Sequence, residues 1–240
     1  MPDDLESLLL AQTPTADRPL LGLTVLMVED SRYASEAMRL LCLRSGARIR
    51  RADSLKSAKK HLAVYRPSVV IVDLGLPDGS GAELIDELSK ASPRVGVILG
   101  TSGNDDGDTI AISAGADGFF AKPIESLAAF QATILKHLPA ENQPTGIRSV
   151  SLDTISPDPL ALHDDLVHIA DILTTSGADP KTIDYIAQFL TGVARIAHDA
   201  TLESAATTLG RHRAGGKPFG SDIAQIAGMV QERLGNGKVI

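Results

Sequence analysis

Residues 69–81 read Val69-Val-Ile-Val-Asp-Leu-Gly-Leu-Pro-Asp-Gly-Ser-Gly81. Four consecutive aliphatic residues lead into Asp73 and then into a loop rich in glycine and proline. A short apolar run bounded by turn residues is typical of a strand that is buried on both faces of a parallel sheet. Glycine and proline in the loop favour a sharp turn before the next helix. The stretch therefore predicts an α/β fold with an aspartate at the end of a strand.

Other parts of the chain repeat this pattern. Further apolar runs occupy residues 24–28, 95–99 and 118–121. Each run is followed by polar residues, which along the chain are Glu29 and Asp30, Asp73, Thr101 and Ser102, and Lys122. With one more predicted strand at 47–52 and amphipathic helices between the strands, the order of elements predicts a doubly wound five-stranded parallel sheet.

The chain divides into four regions. We predict an N-terminal extension at 1–21, the α/β domain at 22–138, a proline-containing linker at 139–159 and a small all-α domain at 160–240. In the last region apolar residues recur at helical spacing only, and they predict helices near 159–175, 180–209 and 221–234. The linker is assigned from its prolines and scattered polar residues.

Composition excludes several classes of protein. The chain has 240 residues, 43% of them hydrophobic, and a formal net charge of −7. The acidic balance argues against a general nucleic-acid binder or a membrane-surface protein. Cys42 is the single cysteine of the sequence, which excludes a disulfide framework. The sequence contains neither a long apolar segment nor the features of a signal peptide, and we expect a soluble cytoplasmic protein.

The polar residues at the strand ends suit one cation and one phosphoryl group. In an open α/β sheet the carboxyl ends of the strands border one crevice, so Glu29, Asp30 and Asp73 are expected to meet there. Carboxylates that are buried together need a cation, and their hard oxygen ligands suit Mg²⁺. Asp73 is placed to act as a nucleophile toward phosphorus, while Thr101 and Lys122 would bind the anionic oxygens.

Three strings resemble the receiver domain of two-component response regulators over about residues 22–138. They are Met27-Val-Glu-Asp-Ser31, Val70-Ile-Val-Asp-Leu-Gly-Leu-Pro-Asp-Gly-Ser-Gly81 and Gly115-Ala-Asp-Gly-Phe-Phe-Ala-Lys-Pro-Ile124. The resemblance implies a CheY-like fold. It also implies that the acidic pair binds Mg²⁺ and that Asp73 accepts phosphate from a histidine.

The resemblance assigns further roles by position. The carbonyl of Gly75 matches a backbone metal ligand, and the bond between Lys122 and Pro123 matches a peptide that is usually cis. Phe119 takes the position of an aromatic switch residue. Either Thr101 or Ser102 is the switch hydroxyl, and we favour Thr101 because it directly follows the predicted strand.

The C-terminal hundred residues lack the signature of a DNA-binding domain. Residues 141–240 contain 8 lysines and arginines against 12 aspartates and glutamates. The densest basic cluster is Arg211-His-Arg213 with Lys217, which we assign to a solvated loop. We therefore expect output through protein–protein contacts, without nucleic acid, membrane or enzymatic activity of the output domain.

His198 and Asp199 leave two alternatives open for the helical domain. His198 could be a phosphotransfer histidine, although the residues that usually accompany one are missing. An HD-type phosphohydrolase would combine His163 or His168 with His198, Asp199 and Asp222. The expected partner of the receiver is a histidine kinase or a histidine-phosphotransfer protein, and a homodimer is possible.

Overall fold

The structure is a computed structural model that describes residues 13–140, 143–144, 154–175 and 179–236. Most of the predicted N-terminal extension and most of the predicted linker lie outside the described residues.

The N-terminal region is an α/β domain with a five-stranded parallel sheet. Its strands are β1 (Thr24–Val28), β2 (Arg48–Ala52), β3 (Val69–Asp73), β4 (Val97–Ser102) and β5 (Gly118–Ala121). They are ordered β2-β1-β3-β4-β5. The helices are α1 (Arg32–Ser45), α2 (Leu55–Val64), α3 (Gly81–Lys90), α4 (Gly107–Ser113) and α5 (Leu127–His137). The predicted doubly wound sheet is confirmed. The loop after β3 forms a small antiparallel ladder in which Gly75–Leu76 pairs with Gly79–Ser80.

Local sequence signals set where the helices begin and end. The hydroxyl oxygens of Ser31, Ser54 and Ser126 accept hydrogen bonds from backbone amides in the first turns of α1, α2 and α5. Gly46 ends α1 with φ of +88°, which a residue with a side chain rarely adopts. The sheet is covered on both faces. Val25 and Ile134 belong to the core under α1 and α5, while Val70 and Ile85 belong to the core under α2, α3 and α4.

The C-terminal region consists of helices with their own core. They are α6 (Pro159–Thr175), α7 (Pro180–Ile196), α8 (Ala200–Ala214) and α9 (Gly220–Asn236). Ile169, Ile186, Leu209 and Val230 are among the residues fully or almost fully buried in this core. We call α6–α9 the helical unit. None of the helices in the described part of the chain is long and apolar enough to cross a membrane.

The continuous helix predicted over 180–209 is wrong. The chain leaves α7 at Ala197, His198 has φ of +54°, and the Asp199 carboxylate accepts a hydrogen bond from the amide of Leu202 to start α8. The apolar spacing continues across this break, so periodicity alone did not reveal it. Helix α8 also extends to Ala214, which places Arg211–Arg213 in a helix instead of the predicted loop.

The helical unit packs against the α/β domain at the carboxyl ends of the strands. Asp164 of α6 pairs with Arg32 of α1, with 2.6 Å between oxygen and nitrogen. Ile196 of α7 packs against Tyr33 and Ala34. The helical unit therefore lies next to the crevice in which the sequence places the candidate site.

Candidate functional site

The alternation of side chains along the strands brings the site together. One face of the sheet carries Met27, Ile71, Leu99 and Phe120 in its core. The residues two positions further on share that face, and they are Glu29, Asp73, Thr101 and Lys122. Four parallel strands thus deliver two carboxylates, a hydroxyl and an ammonium group to one place.

Lys122 joins two of the carboxylates. Its Nζ lies 2.6 Å from Oε2 of Glu29 and 3.3 Å from Oδ2 of Asp73. All three residues are buried, and Asp73 is only 6% exposed. A lysine in such a place compensates part of the negative charge that burial makes costly.

Asp30 adds a third carboxylate to the cluster. Oxygen atoms of Glu29, Asp30 and Asp73 lie within 4.8 Å of one another. Among the described residues, Oδ1 of Asp30 is buried without a hydrogen-bond partner. A hard cation with oxygen ligands would satisfy this oxygen and neutralise charge that Lys122 alone leaves uncompensated. The residues present therefore fit Mg²⁺.

The electrostatic setting of the carboxyl groups agrees with this fit. The pKa of Asp30 is raised to about 7, mainly by burial and also by the charge of Glu29, while the hydrogen bond from Tyr185 and the charge of Lys122 oppose the rise. Burial also raises the pKa of Asp73 well above its ordinary value, against the influence of Lys122. Burial alone would lower the pKa of Lys122, but the surrounding carboxylates raise it. Burial therefore disfavours the charged forms of Asp30 and Asp73.

The remaining predicted residues surround this cluster. Thr101 pairs with Asp73 in the register of the sheet, and its hydroxyl donates to the carbonyl of Phe120 at 2.9 Å. The hydroxyl oxygen of Ser102 accepts from the amide of Asn104. Phe119 packs against the core on the opposite face of the sheet. The peptide bond between Lys122 and Pro123 is cis.

The structure places His198 at the break between α7 and α8. Its side chain is 70% exposed, and its Nε2 lies 2.7 Å from Oε1 of Glu125. Among the described residues, His198 is not one of those that could share a metal ion with Glu29, Asp30 and Asp73. The structure therefore does not place His198 in the carboxylate cluster.

The residues of the phosphohydrolase alternative have other partners. Asp199 pairs with Arg233, His212 with Asp222, and His168 with the hydroxyl of Tyr185. Within the described ranges, Glu29, Asp30 and Asp73 form the only cluster of histidine, cysteine, aspartate or glutamate that could hold a metal ion. The phosphohydrolase alternative therefore finds no support in the helical unit.

Two residues of the helical unit reach the site and were not predicted from the sequence. The hydroxyl of Tyr185 donates to Oδ2 of Asp30 at 2.6 Å. The Asp165 carboxylate accepts hydrogen bonds from the hydroxyl of Ser31 and from the amides of Arg32 and Tyr33. Burial raises the pKa of Asp165, and these hydrogen bonds oppose the rise.

Comparison with known proteins identifies the family. Residues 25–134 match the family model described as the response regulator receiver domain. The KDP operon transcriptional regulatory protein KdpE of Escherichia coli K12 is 30% identical over 152 residues, which cover 62% of this chain and 68% of KdpE. The chain belongs to the response regulator family, with a receiver domain at its N-terminal side. The described helices from Pro159 onward lie beyond the residues that match the family model.

Other relatives and solved structures cover similar parts of the chain. The transcriptional regulatory protein PhoP of Escherichia coli K12 is 27% identical over 149 residues, which cover 60% of this chain and 66% of PhoP. The chain thus spans about two thirds of the length of these relatives. The chemotaxis response regulator CheY4 of Vibrio cholerae superposes with a TM-score of 0.44 at 21% identity, covering 48% of this chain and 98% of that structure.

Proposed function

We propose that this response regulator accepts a phosphoryl group on Asp73 from a phosphohistidine of a histidine kinase or a histidine-phosphotransfer protein. The observation that carries the proposal is the position of Asp73 at the end of β3, buried beside Lys122 and facing the pair Glu29 and Asp30. Phosphoryl transfer depends mainly on positioning and on the neutralisation of charge, and this arrangement provides both.

The transfer exchanges one bond to phosphorus for another. An Oδ atom of Asp73 forms a bond to phosphorus while the bond between phosphorus and the imidazole nitrogen breaks, and the leaving imidazole takes up a proton. During the transfer, Lys122 stays paired with the negatively charged oxygen atoms at Asp73. Mg²⁺ held by Glu29, Asp30, Asp73 and the carbonyl of Gly75 would neutralise charge on the phosphoryl oxygens.

Thr101 and Phe119 are the residues proposed to change conformation when Asp73 is phosphorylated. The Thr101 hydroxyl leaves the carbonyl of Phe120 and binds a phosphoryl oxygen. Phe119, next in the chain and packed beside Gly100 and Gly107, can then adopt a different packing. Such a change shifts a pre-existing equilibrium of the surface formed by α4, β5 and α5.

We further propose that output passes through protein contacts, including a possible homodimer, and not through nucleic acid, membrane or an enzymatic domain. The basic residues of α8 support this, because Arg213 pairs with Asp184 and His212 pairs with Asp222. KdpE and PhoP are transcriptional regulators by name. A salt-resistant mobility shift of DNA by the phosphorylated chain would therefore overturn this part of the proposal. A cytoplasmic location follows from the partner that we propose.

The phosphoacceptor can be tested with phosphoramidate, a small donor that carries a nitrogen–phosphorus bond. The full chain with Mg²⁺ is expected to gain the mass of one phosphoryl group, and Asp73→Asn is expected to gain none. Asp86→Asn is the matched control, because Asp86 is an exposed carboxylate that pairs with Lys90 on α3. Equal labelling of Asp73→Asn and the wild type would refute the assignment.

A further inference from the structure

Helix α7 lies across the opening of the crevice. A Cβ atom added to Gly75 would overlap the side chain of Gln188, and one added to Gly103 would lie 3.1 Å from Cα of Gly192. At Gly103 the backbones of the loop and of α7 approach so closely that any side chain on this residue would be crowded. Gln188 and Gly192 are one helical turn apart, so a single face of α7 closes the crevice.

The space that remains beside Asp73 is too small for a phosphoryl group. Asp73, Lys122, Gln188 and Gly192 line a cavity of about 10 Å³. This volume corresponds to roughly one water molecule. A phosphoryl group brings three oxygen atoms, and a donor histidine would have to enter through the same opening. The docked helical unit and a phosphorylated Asp73 therefore exclude each other.

Tyr185 is hydrogen-bonded to one of the candidate metal ligands. Its hydroxyl donates to Oδ2 of Asp30 at 2.6 Å, and this hydrogen bond links residues 155 positions apart. Hydrogen bonds to a charged partner are among the stronger ones in proteins. The docked helix α7 thus competes with a cation for the Asp30 carboxylate.

Asp165 fastens α6 to the start of α1. It is 3% exposed, and Oδ2 accepts from the hydroxyl of Ser31 at 2.7 Å and from the amide of Tyr33 at 3.0 Å. Oδ1 accepts from the amide of Arg32 at 2.8 Å. A carboxylate at the N-terminus of a helix is stabilised by the free amides and by the helix dipole. Asp165 makes these hydrogen bonds only when α6 is docked on α1, so they hold the helical unit in this arrangement.

The far end of α7 adds polar contacts. The Arg195 side chain donates to the carbonyl of Gly103, in the loop after β4, and lies 3.8 Å from a carboxylate oxygen of Asp105. His198 pairs with Glu125, which follows β5. The helical unit is therefore held on α1 and on the loops that follow β4 and β5.

We propose that the helical unit is an intramolecular lid over the phosphoacceptor, fastened by Asp165 and Tyr185, and that phosphorylation of Asp73 releases it. The inference rests on the proposed function, since a lid matters only if Asp73 is the acceptor. Docking and phosphorylation are linked reciprocally in free energy: whatever weakens docking favours the phosphorylated state, and the phosphoryl group weakens docking by the same amount. Phosphorylation also becomes faster when docking is weakened, because the donor has to enter through the opening that α7 covers. The face of α7 that is released becomes available to a partner only in the phosphorylated state.

The first test compares rates of phosphorylation by phosphoramidate in the full chain. Tyr185→Phe removes only the hydroxyl that holds Asp30, and we expect phosphorylation of Asp73 to become about tenfold faster, the usual effect of one hydrogen bond to a charged group. Tyr65→Phe is the matched control, because it removes a hydroxyl that contacts His61 on α2. Equal rates in the two variants and the wild type would overturn the lid while leaving the acceptor intact.

The second test follows hydrogen exchange of the full chain with Mg²⁺ and beryllofluoride. Binding is expected to speed exchange at the amides of Arg32 and Tyr33, which donate to Asp165 in the docked state, and to leave the core strand β3 protected. Unchanged protection of these amides while beryllofluoride occupies Asp73 would refute the lid. Failure of beryllofluoride and phosphoramidate to react with the wild type and with Tyr185→Phe would instead refute the proposed function.

Discussion

The hydroxyl of Tyr185 donates to Oδ2 of Asp30 at 2.6 Å, although the two residues belong to different parts of the chain. Asp30 is part of the acidic cluster, and Tyr185 lies on a helix outside the matched receiver domain. The contact connects the candidate metal site of the receiver with the helical unit. If Asp30 binds a cation, the cation and the Tyr185 hydroxyl compete for one carboxylate.

Substitution of Tyr185 should tighten binding of Mg²⁺. In the wild type the cation has to displace the tyrosine hydroxyl, which contributes about 1.5–3 kcal/mol as a hydrogen bond to a charged group. We expect Tyr185→Phe to bind Mg²⁺ about tenfold more tightly in isothermal titration calorimetry. Tyr65→Phe should bind like the wild type. An unchanged or weaker affinity of Tyr185→Phe would show that the hydroxyl does not compete with the metal.

Substitution of Gly192 should undock the helical unit without unfolding it. A Cβ atom at this position would already lie 3.7 Å from Nζ of Lys122, so the larger side chain of Gly192→Leu would overlap the receiver. The change favours the helix itself, since leucine has a higher helix propensity than glycine by roughly 0.8 kcal/mol. We expect unchanged helix content by circular dichroism and a larger radius of gyration in solution X-ray scattering.

Gly228→Leu is the matched control for this experiment. Gly228 also lies inside a helix, and a Cβ atom there would meet nothing within 4 Å among the described atoms. The control should keep the radius of gyration of the wild type. If Gly192→Leu does so too, α7 does not approach the receiver as closely as the structure has it.

Removal of the Lys122 charge should lower the stability of the receiver, and added Mg²⁺ should restore part of this stability. Loss of one partner of a buried ion pair costs about 3–5 kcal/mol, because the other charges stay buried and uncompensated. Lys122→Met is expected to lower the free energy of unfolding by this amount in urea without metal, and to gain more stability from added Mg²⁺ than the wild type does.

An exposed lysine provides the comparison for Lys122. Lys59→Met removes a surface pair with Glu87 and should cost less than about 1 kcal/mol, with the same response to Mg²⁺ as the wild type. A loss in Lys122→Met that is as small as in Lys59→Met would mean that the acidic cluster is not held by Lys122.

The ion pair of Asp199 and Arg233 should make the stability of the helical unit depend on pH. The hydrogen bonds from Arg233 lower the pKa of Asp199 below its ordinary value, although partial burial opposes them. A carboxyl group with a lowered pKa stabilises the fold fully above its unfolded pKa of about 3.9 and loses this effect as the pH falls through the folded value. The difference in melting temperature between the wild type and Asp199→Asn should therefore be present at neutral pH and disappear in acid. A difference that persists at low pH would show that the ion pair does not cause it.

The sequence predicted the fold and the core of the site for physical reasons. Buried parallel strands need continuous apolar runs, and their carboxyl ends share one edge of the sheet. The sequence alone therefore places Glu29, Asp73 and Lys122 together. The turn after Asp73 was also predicted, because glycine permits the positive φ that tight turns need and proline fixes φ near the value of a turn.

The break at His198 was not predictable from periodicity. Apolar residues keep their helical spacing from α7 into α8, so the pattern indicated one helix. The local signal was Asp199, a residue type that favours the N-cap of a helix. Its side chain caps α8 and also binds Arg233, and this tertiary contact fixes the turn.

The lid was missed because its contacts are tertiary and join distant parts of the chain. Asp165 and Tyr185 lie 134 and 155 positions from their partners Ser31 and Asp30, and no local rule connects them. One signal did exist in α7. Residues 186–197 contain a single charged residue, and a helix that is apolar nearly all round is buried on more than one side. The second buried side faces the receiver.

A structure of the full chain with Mg²⁺ and beryllofluoride would test the central claim most directly. The account predicts beryllium bonded to an Oδ atom of Asp73, Mg²⁺ bound by Asp30, and the Tyr185 hydroxyl beyond hydrogen-bonding distance of that carboxylate. Beryllofluoride bound at another residue would contradict the assignment of the acceptor. Beryllofluoride on Asp73 with the Tyr185 hydroxyl still 2.6 Å from Asp30 would contradict the coupling between phosphorylation and the helical unit.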